Sequence, residues 1–397
     1  MVIDNYEINQ EDNGKIVIYG ATIGGKIICQ CLKAEGINPI FFCDRNKKGM
    51  YYCGLPVYDP AVLRNKEDRY KVIIAVTRSI DSVCRYMEEI DFSKCYSAKK
   101  ILSDKHYYDF ECKENEKLQI KDFLKKYPIY IDGIHNKHLV LPCLEVFITE
   151  RCTLKCRDCS HLIPRYLDRG AKDYDIDILI EQIEHILQTV DFVIDLNILG
   201  GEPLLHNELY KLLEWGFANQ KIGDVTIISN GTIVPQQNIY DVIEKTKTRI
   251  RLSNYGKYSS ALEDIRKECS KRGISHFVND ELWTDMGKIY NHNYTKPELI
   301  EIFKNCPFSF DFLLLDGKLF RCSHVAHLNN LGFIKSIEHD CIDFTDSFKK
   351  QDEICLKRKE LEHYVKIDYL EGCSYCNGIQ NSIQGIEPAI QEESKNG

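Results

Sequence analysis

Three things are missing from this 397-residue sequence, and each absence narrows what the protein can be. Excess basic charge is the first: 52 Lys and Arg against 60 Asp and Glu leave a formal net charge of −8. A chain with that balance has no broad basic face for a phosphate backbone, so no nucleic-acid partner is expected. Long apolar runs are the second. No stretch reaches the ~20 apolar residues that cross a bilayer, so no membrane is expected either. The third is a leader: Met1-Val-Ile-Asp-Asn-Tyr-Glu7 has no basic start and no apolar centre, which points to a cytoplasmic protein. Trp is scarce at 2 and Met at 4, whereas Cys reaches 18. Many thiols without a secretion signal fit a reducing compartment, where they ligate metals rather than pair as disulfides.

Cys152, Cys156 and Cys159 stand in a C-x3-C-x2-C spacing within Glu150-Arg-Cys-Thr-Leu-Lys-Cys-Arg-Asp-Cys159. The apolar run Leu144–Thr149 before them has the length and β-branching of a buried strand, which puts the thiols on a loop at its C-terminal end. Thiolates are soft ligands that select iron–sulfur clusters or zinc. Three of them leave one iron of a cubane open to a substrate or cofactor. The same three with His161 also satisfy a structural zinc, and spacing alone leaves both readings open. Downstream, residues 175–278 alternate between helical and strand periodicity, implying a parallel sheet with helices outside and site residues at strand C-termini. The strand Asp191–Leu199 ends in Gly200-Gly201-Glu202-Pro203; Ser229 and Asn230 end the next, Ser253 and Asn254 the one after. Paired glycines permit close backbone approach, and Glu202 can accept from an ammonium group. Ser and Asn at such positions serve equally well as caps or turn residues.

The cysteine spacing and the Gly-Gly-Glu strand end together resemble the radical S-adenosylmethionine (SAM) superfamily, with one departure: Asp158 stands where that family usually has an aromatic or His. The resemblance implies a partial (β/α)6 TIM-like barrel over residues 144–300. It implies a 4Fe–4S cluster on Cys152, Cys156 and Cys159, whose open iron chelates SAM. Gly200, Gly201, Glu202 and Pro203 would hold the methionine end, with Ser229, Asn230, Ser253 and Asn254 beside the nucleoside. Reductive cleavage of SAM to a 5′-deoxyadenosyl radical and hydrogen abstraction from a small-molecule substrate follow from the same resemblance, as does an electron donor such as flavodoxin or ferredoxin.

Two flanking segments add to this. In the C-terminal one, Cys306-x10-Gly317-x4-Cys322 frames an Asp-Gly hairpin signal, and Cys373-x2-Cys376 follows. The pattern resembles a SPASM motif cut short, the twitch domain of radical SAM dehydrogenases. That implies a second 4Fe–4S cluster over residues 301–386, fully ligated by Cys306, Cys322, Cys373 and Cys376; a four-cysteine zinc knuckle is the alternative. A closed cluster accepts an electron, which makes the expected reaction a two-electron oxidation. An epimerase or a peptide-modifying maturase are the enzymatic alternatives, and a non-catalytic zinc-stabilised nucleotide-binding adaptor is the one outside enzymes. In the N-terminal segment, residues 1–97, a strand, the turn Gly20-Ala-Thr-Ile-Gly24-Gly25, a helix and a strand ending at Asp44 make a Rossmann-type unit. Thr22 replaces the middle glycine of the fingerprint. The segment resembles the small Rossmann-like domain preceding sugar acetyltransferases, implying a nucleotide or nucleotide-sugar at Gly20, Gly24, Gly25 and Asp44 and a saccharide as the favoured substrate; a degenerate, docking-only domain is the alternative. The fold class expected is therefore α/β: a doubly wound N-terminal domain, a partial barrel, and a small cluster-binding hairpin and helix domain. Residues 98–143 are expected as a linker with a surface helix ended by Pro128, and residues 387–397 as a disordered tail.

Overall fold

The computed structural model describes residues 2–3, 9–103, 114–280, 282–334, 338–378 and 385–392. The chain divides into two compact units, Met1–His138 and Leu139–Gly397. Both are mixed α/β and each is built on a sheet dominated by parallel pairs.

The first unit has strands β1 (Val2–Ile3), β2 (Ile16–Tyr19), β3 (Phe41–Cys43), β4 (Tyr51–Tyr52), β5 (Leu55–Tyr58), β6 (Lys71–Ile74) and β7 (Cys95–Tyr96). Their order is β1-β7-β6-β2-β3-β5-β4, with β4–β5 antiparallel and the other pairs parallel. Every residue of β2 is buried, which is why it reads as a continuous β-branched run with no alternation. Helices α1 (Ile23–Ala34), α2 (Ile80–Glu89), α3 (Lys99–Ser103) and α4 (Glu114–Asn136) complete the unit. The linker expected over 98–143 is thus shared out: α3 and α4 belong to the first unit and the rest opens the second. Pro128 does not end α4, which runs through it to Asn136. A mid-helix proline costs about 3 kcal/mol. Here Phe123, Tyr127, Tyr130 and Ile131 are all buried, and the Tyr127 hydroxyl donates to the Ile74 carbonyl at 2.6 Å and accepts from the Ala98 N–H at 2.9 Å. Burial of those four side chains, at about 1.5–3 kcal/mol each, outweighs the lost backbone bond, so α4 is not a surface helix.

The second unit has strands β8 (Val140–Phe147), β9 (Phe192–Leu199), β10 (Ile222–Ser229), β11 (Arg249–Ser253), β12 (His276–Asn279), β13 (Asp311–Leu315), β14 (Lys318–Phe320) and β15 (Cys341–Asp343), in the order β12-β11-β10-β9-β8-β13-β14-β15. Six strands, β8–β13, form parallel pairs, but only β8–β12 follow chain order. β13 pairs with β8 instead of extending the sheet from β12, in register Phe312↔Leu144 and Leu314↔Val146. Phe312–Leu315 is an unbroken apolar run that is wholly buried, so it needs neighbours in the middle of the sheet and not a half-open edge. The β13–β14 hairpin turns at Asp316 and Gly317, with φ of 50° and 74°, as the Asp-Gly signal predicts. Around the sheet run α5 (Ile163–Asp168), α6 (Ile176–Thr189), α7 (Leu209–Ala218), α8 (Gln237–Thr246), α9 (Leu262–Arg272), α10 (Lys296–Lys304), α11 (Ser323–Asn330) and α12 (Gln351–Tyr364). Asp175 caps α6 by accepting from Asp177 and Ile178 N–H, and Gly273 ends α9 at φ 68°. The sheet order flanks β8, which leads into the first cysteine loop, with β9 on one side and β13 on the other. No helix among the described residues is long and apolar enough to cross a membrane.

Candidate active site

The β8–β9 pairing continues past both strands. Ile148 N–H bonds Leu199 O at 2.9 Å, Gly201 N–H bonds Thr149 O at 2.8 Å and Glu202 N–H bonds Arg151 O at 2.9 Å. The start of the cysteine loop therefore lies directly against Gly200–Glu202. A Cβ on Gly200 would come within 2.7 Å of Thr149 O, and one on Gly201 within 2.2 Å of Arg151 O and 2.7 Å of the Cys152 Cβ. The two glycines are needed for the cysteine loop itself to approach, a nearer cause than the cofactor contact read from the sequence. Arg151 holds the outer side of the loop, bidentate to Asp173 at 2.9 and 2.7 Å and donating to the Leu205 carbonyl.

Glu202 is fully buried and ties three strand ends together. One carboxylate oxygen accepts from Leu204 N–H at 3.2 Å; the other accepts from the Ser229 hydroxyl at 3.1 Å and Asn230 N–H at 2.8 Å. Burial pushes its pKa from 4.5 up to about 7, against the lowering effect of those three donors. A carboxylate has about four acceptor sites, so one remains. Pro203 opens a short 3-10 turn that Glu202 caps. Asn230 reaches across to the cysteine loop, its amide donating to the Cys152 sulfur at 3.6 Å and the Thr153 hydroxyl at 3.1 Å. Ser253 offers its carbonyl to the Ser259 hydroxyl at 3.0 Å, and Asn254 turns to Asp280 at 2.7 Å. Sequence reasoning passed over Ser259, which also donates to Asn230 O at 2.7 Å, and over Tyr255. Burial, with smaller contributions from Cys159, Cys156 and Cys152 and against a hydrogen bond from Ser253, raises the Tyr255 phenol to about 12. Neither residue has a spacing that marks it.

Within the loop, neighbouring thiols raise the pKa of Cys152 and Cys156. Burial first, then Cys159, Glu202 and Cys156, take Cys152 to about 12; burial and Cys159 do the same for Cys156. Peptide N–H groups are aimed at these sulfurs: Leu154 at Cys152, and His161, Leu162 and Ile163 at Cys159. Asp158 is held below the usual carboxylate range despite its burial, by hydrogen bonds from Arg157 and Lys288. The second set behaves alike. Burial, then Cys322, Cys376 and Cys306, push the Cys373 thiol up, so all four lie within electrostatic reach. N–H groups of Phe308 and Ser309 face Cys306, His324 and Val325 face Cys322, Leu370 faces Cys373 and Gly378 faces Cys376. Cys341 and Cys355 stand apart, the latter exposed. Two groups of buried and part-buried thiols, each facing N–H donors, fit iron–sulfur clusters, whose positive iron favours the thiolate form. Among the described residues no group of three or more His, Cys, Asp or Glu is gathered as one metal ion would require.

Between the two sets lie three histidines. His161 and His327 pack at a tilt with ring centroids 4.9 Å apart, and His324 donates through Nδ1 to the Ser160 carbonyl at 3.1 Å. Burial lowers His161 to about 4 and holds His327 well below its usual range. His324 and His327 are both buried.

In the first unit, the Asp44 carboxylate accepts from Ala21 N–H at 3.0 Å with one oxygen and from Asn46 and Lys47 N–H at 2.9 and 3.2 Å with the other. Thr22 caps α1, and Lys47 and Tyr52 donate to Ala21 O and Thr22 O at 2.6 and 2.9 Å. A Cβ on Gly24 would meet the Phe123 ring at 2.3 Å, one on Gly25 would meet Gly20 O at 2.0 Å, and one on Gly20 would meet Val76 at 2.6 Å. These four residues make a turn closed on itself by its own chain.

The disordered tail expected over 387–397 is ordered over residues 387–392, and the pairing starts just before it at Ile386. Ile386 pairs with Trp283 and Gln391 with Cys156, both as antiparallel bridges. Residues 393–397 lie outside the described residues.

No protein-family model matches the chain. Over 135 residues it is 25% identical to a GTP 3′,8-cyclase of Clostridium acetobutylicum, covering 31% of this chain and 41% of that protein. The chain thus spans about two fifths of the length of this curated relative. Among solved structures, BtrN in complex with AdoMet and 2-DOIA aligns at 15% identity over 64% of this chain and 97% of its own, with a TM-score of 0.37. The anSMEcpe protein with bound AdoMet aligns at 16% identity over 64% and 89%, also at 0.37. Scores that low carry no argument about fold.

Proposed function

We propose that the chain is a radical SAM oxidoreductase with two 4Fe–4S clusters, acting on a saccharide or nucleotide-sugar. The observation that carries this is the contact between the C-x3-C-x2-C loop and the Gly-Gly-Glu strand end, locked by Gly201 N–H on Thr149 O and Glu202 N–H on Arg151 O. Cys152, Cys156 and Cys159 would hold the first cluster, leaving one iron for the amine and carboxylate of SAM. When bound, that cluster supplies the electron that cleaves SAM and so generates the radical that removes a substrate hydrogen. Glu202 keeps one acceptor site for the SAM ammonium, while Ser229 and Asn230 hold the carboxylate in place. Asn230 and Leu154 steady Cys152 by donating to its sulfur. Cys306, Cys322, Cys373 and Cys376 would ligate the second cluster completely, which suits electron acceptance and not substrate binding. The saccharide rests on the N-terminal sequence resemblance; the self-closed Gly20–Asp44 turn favours docking over nucleotide binding for that unit.

The test is anaerobic turnover with dithionite, following 5′-deoxyadenosine and substrate mass together. Replacing Cys373 and Cys376 by Ala should abolish a product two hydrogens lighter than substrate while 5′-deoxyadenosine continues to form. A product of unchanged mass from the unmodified chain would make it an epimerase or isomerase.

A further inference from the structure

Six of the seven candidate ligand sulfurs face peptide N–H groups. Cys156 is served differently. Its sulfur accepts from the side-chain amide of Gln391 at 3.3 Å, from a segment 235 residues away in the sequence. The same amide accepts from Lys155 N–H through its oxygen at 2.7 Å. Around it the backbones pair: Arg157 N–H donates to Ile390 O at 2.7 Å, and Glu392 N–H to Lys155 O at 2.8 Å. Ala389 is fully buried with φ of 57°, a left-handed conformation that an alanine adopts only when its surroundings impose it. At the near end of the segment, Ile386 and Trp283 exchange both backbone hydrogen bonds, at 2.9 and 2.8 Å. Trp283 in turn packs edge-on against Tyr255 at 5.4 Å, the tyrosine that the three loop cysteines influence.

We propose that residues 385–392 form a clasp over the first cysteine loop, in which Gln391 is a positioning residue that fixes the Cys156 sulfur. The amide is locked in one orientation. Turned over, its oxygen would face the sulfur and its NH2 would face the Lys155 N–H, losing both bonds. Resting on the reading that the three thiols hold an iron–sulfur cluster, the clasp also has a redox consequence. A hydrogen bond to a ligand sulfur stabilises the reduced, more negative cluster, and cover from solvent acts on the same potential.

Two substitutions in the full chain separate the parts. Gln391→Leu removes all three amide bonds, the third being the one its nitrogen donates to Ala389 O at 2.7 Å. Gln391→Glu keeps the acceptor for Lys155 and replaces the donor to Cys156 with a carboxylate oxygen. Hydrogen–deuterium exchange on the metal-free chain should show the Lys155, Arg157 and Glu392 amides protected in the unmodified protein. Lys155 should exchange at least tenfold faster in Gln391→Leu and stay protected in Gln391→Glu. Rapid exchange of all three amides in the unmodified chain would overturn the clasp, whatever metal the protein holds. In the reconstituted protein, both variants should shift the reduction equilibrium of the first cluster several-fold toward the oxidised form and leave the second unchanged. An unshifted first cluster in both would overturn the positioning role of Gln391. Protected amides in a chain that takes up no iron would leave the clasp standing and remove the cluster instead.

Discussion

At the scale of single residues, Glu202 decides most. Its burial raises the pKa from 4.5 to about 7, so the carboxylate forms only as pH rises through about 7. An ammonium is bound by the carboxylate and not by the acid, so SAM affinity should climb with pH through that window. Glu202→Gln should weaken SAM binding about 10–100-fold, the loss of one charge-assisted hydrogen bond of about 1.5–3 kcal/mol, and flatten the pH dependence. Calorimetric titration between pH 6 and 8 measures both. Equal affinity for the two proteins across that range would reduce Glu202 to a tie between strand ends. Stability carries the opposite sign. The folded chain holds the Glu202 proton more tightly than the unfolded chain, so the stabilisation present below pH 4.5 is lost as pH rises through about 7. Cys152, Cys156, Cys159 and Glu202 were legible in the sequence because their spacing or their neighbours are local. Tyr255, Ser259 and Gln391 were not, since what brings each to the loop is strand order and chain return, and neither leaves a local pattern.

At the scale of elements, the strand end β9 and the loop after β8 act as one unit. Gly200 and Gly201 exist for the backbone of Thr149–Cys152, and the family motif is also a packing motif. Gly201→Ala would set a Cβ 2.2 Å from Arg151 O and displace the loop. The expected cost is about 1–3 kcal/mol of stability, an overpacking penalty, together with loss of the first cluster and retention of the second. Thermal unfolding and iron analysis of the one variant read both; an unaltered unfolding midpoint with full iron would contradict the contact. The sequence reading succeeded with the β13–β14 hairpin, where Asp316 and Gly317 encode the turn directly. It failed with α4, because a proline's local penalty says nothing of the four buried side chains that override it. The sheet position of β13 left no signal in the sequence. Chain order predicts the neighbour of a βα unit well, but a strand after a long excursion joins wherever a buried edge is open, here beside β8.

At the scale of the whole molecule, seven cysteines make up the two candidate ligand sets; among the other described ones, Cys29, Cys31, Cys43, Cys95, Cys143 and Cys269 pack as small buried side chains and Cys355 is exposed. The two sets are separated in sequence yet linked in the second unit through His161, His324 and His327. The proposed function depends on these sets holding iron. The most direct measurement is metal content after anaerobic reconstitution, for the unmodified chain and for the variant with Cys152, Cys156 and Cys159 all changed to Ala. Two cubanes predict about eight irons per chain in the first and about four in the second. Zinc in place of iron in the unmodified chain would contradict the account and leave a metal-stabilised binding protein in its place.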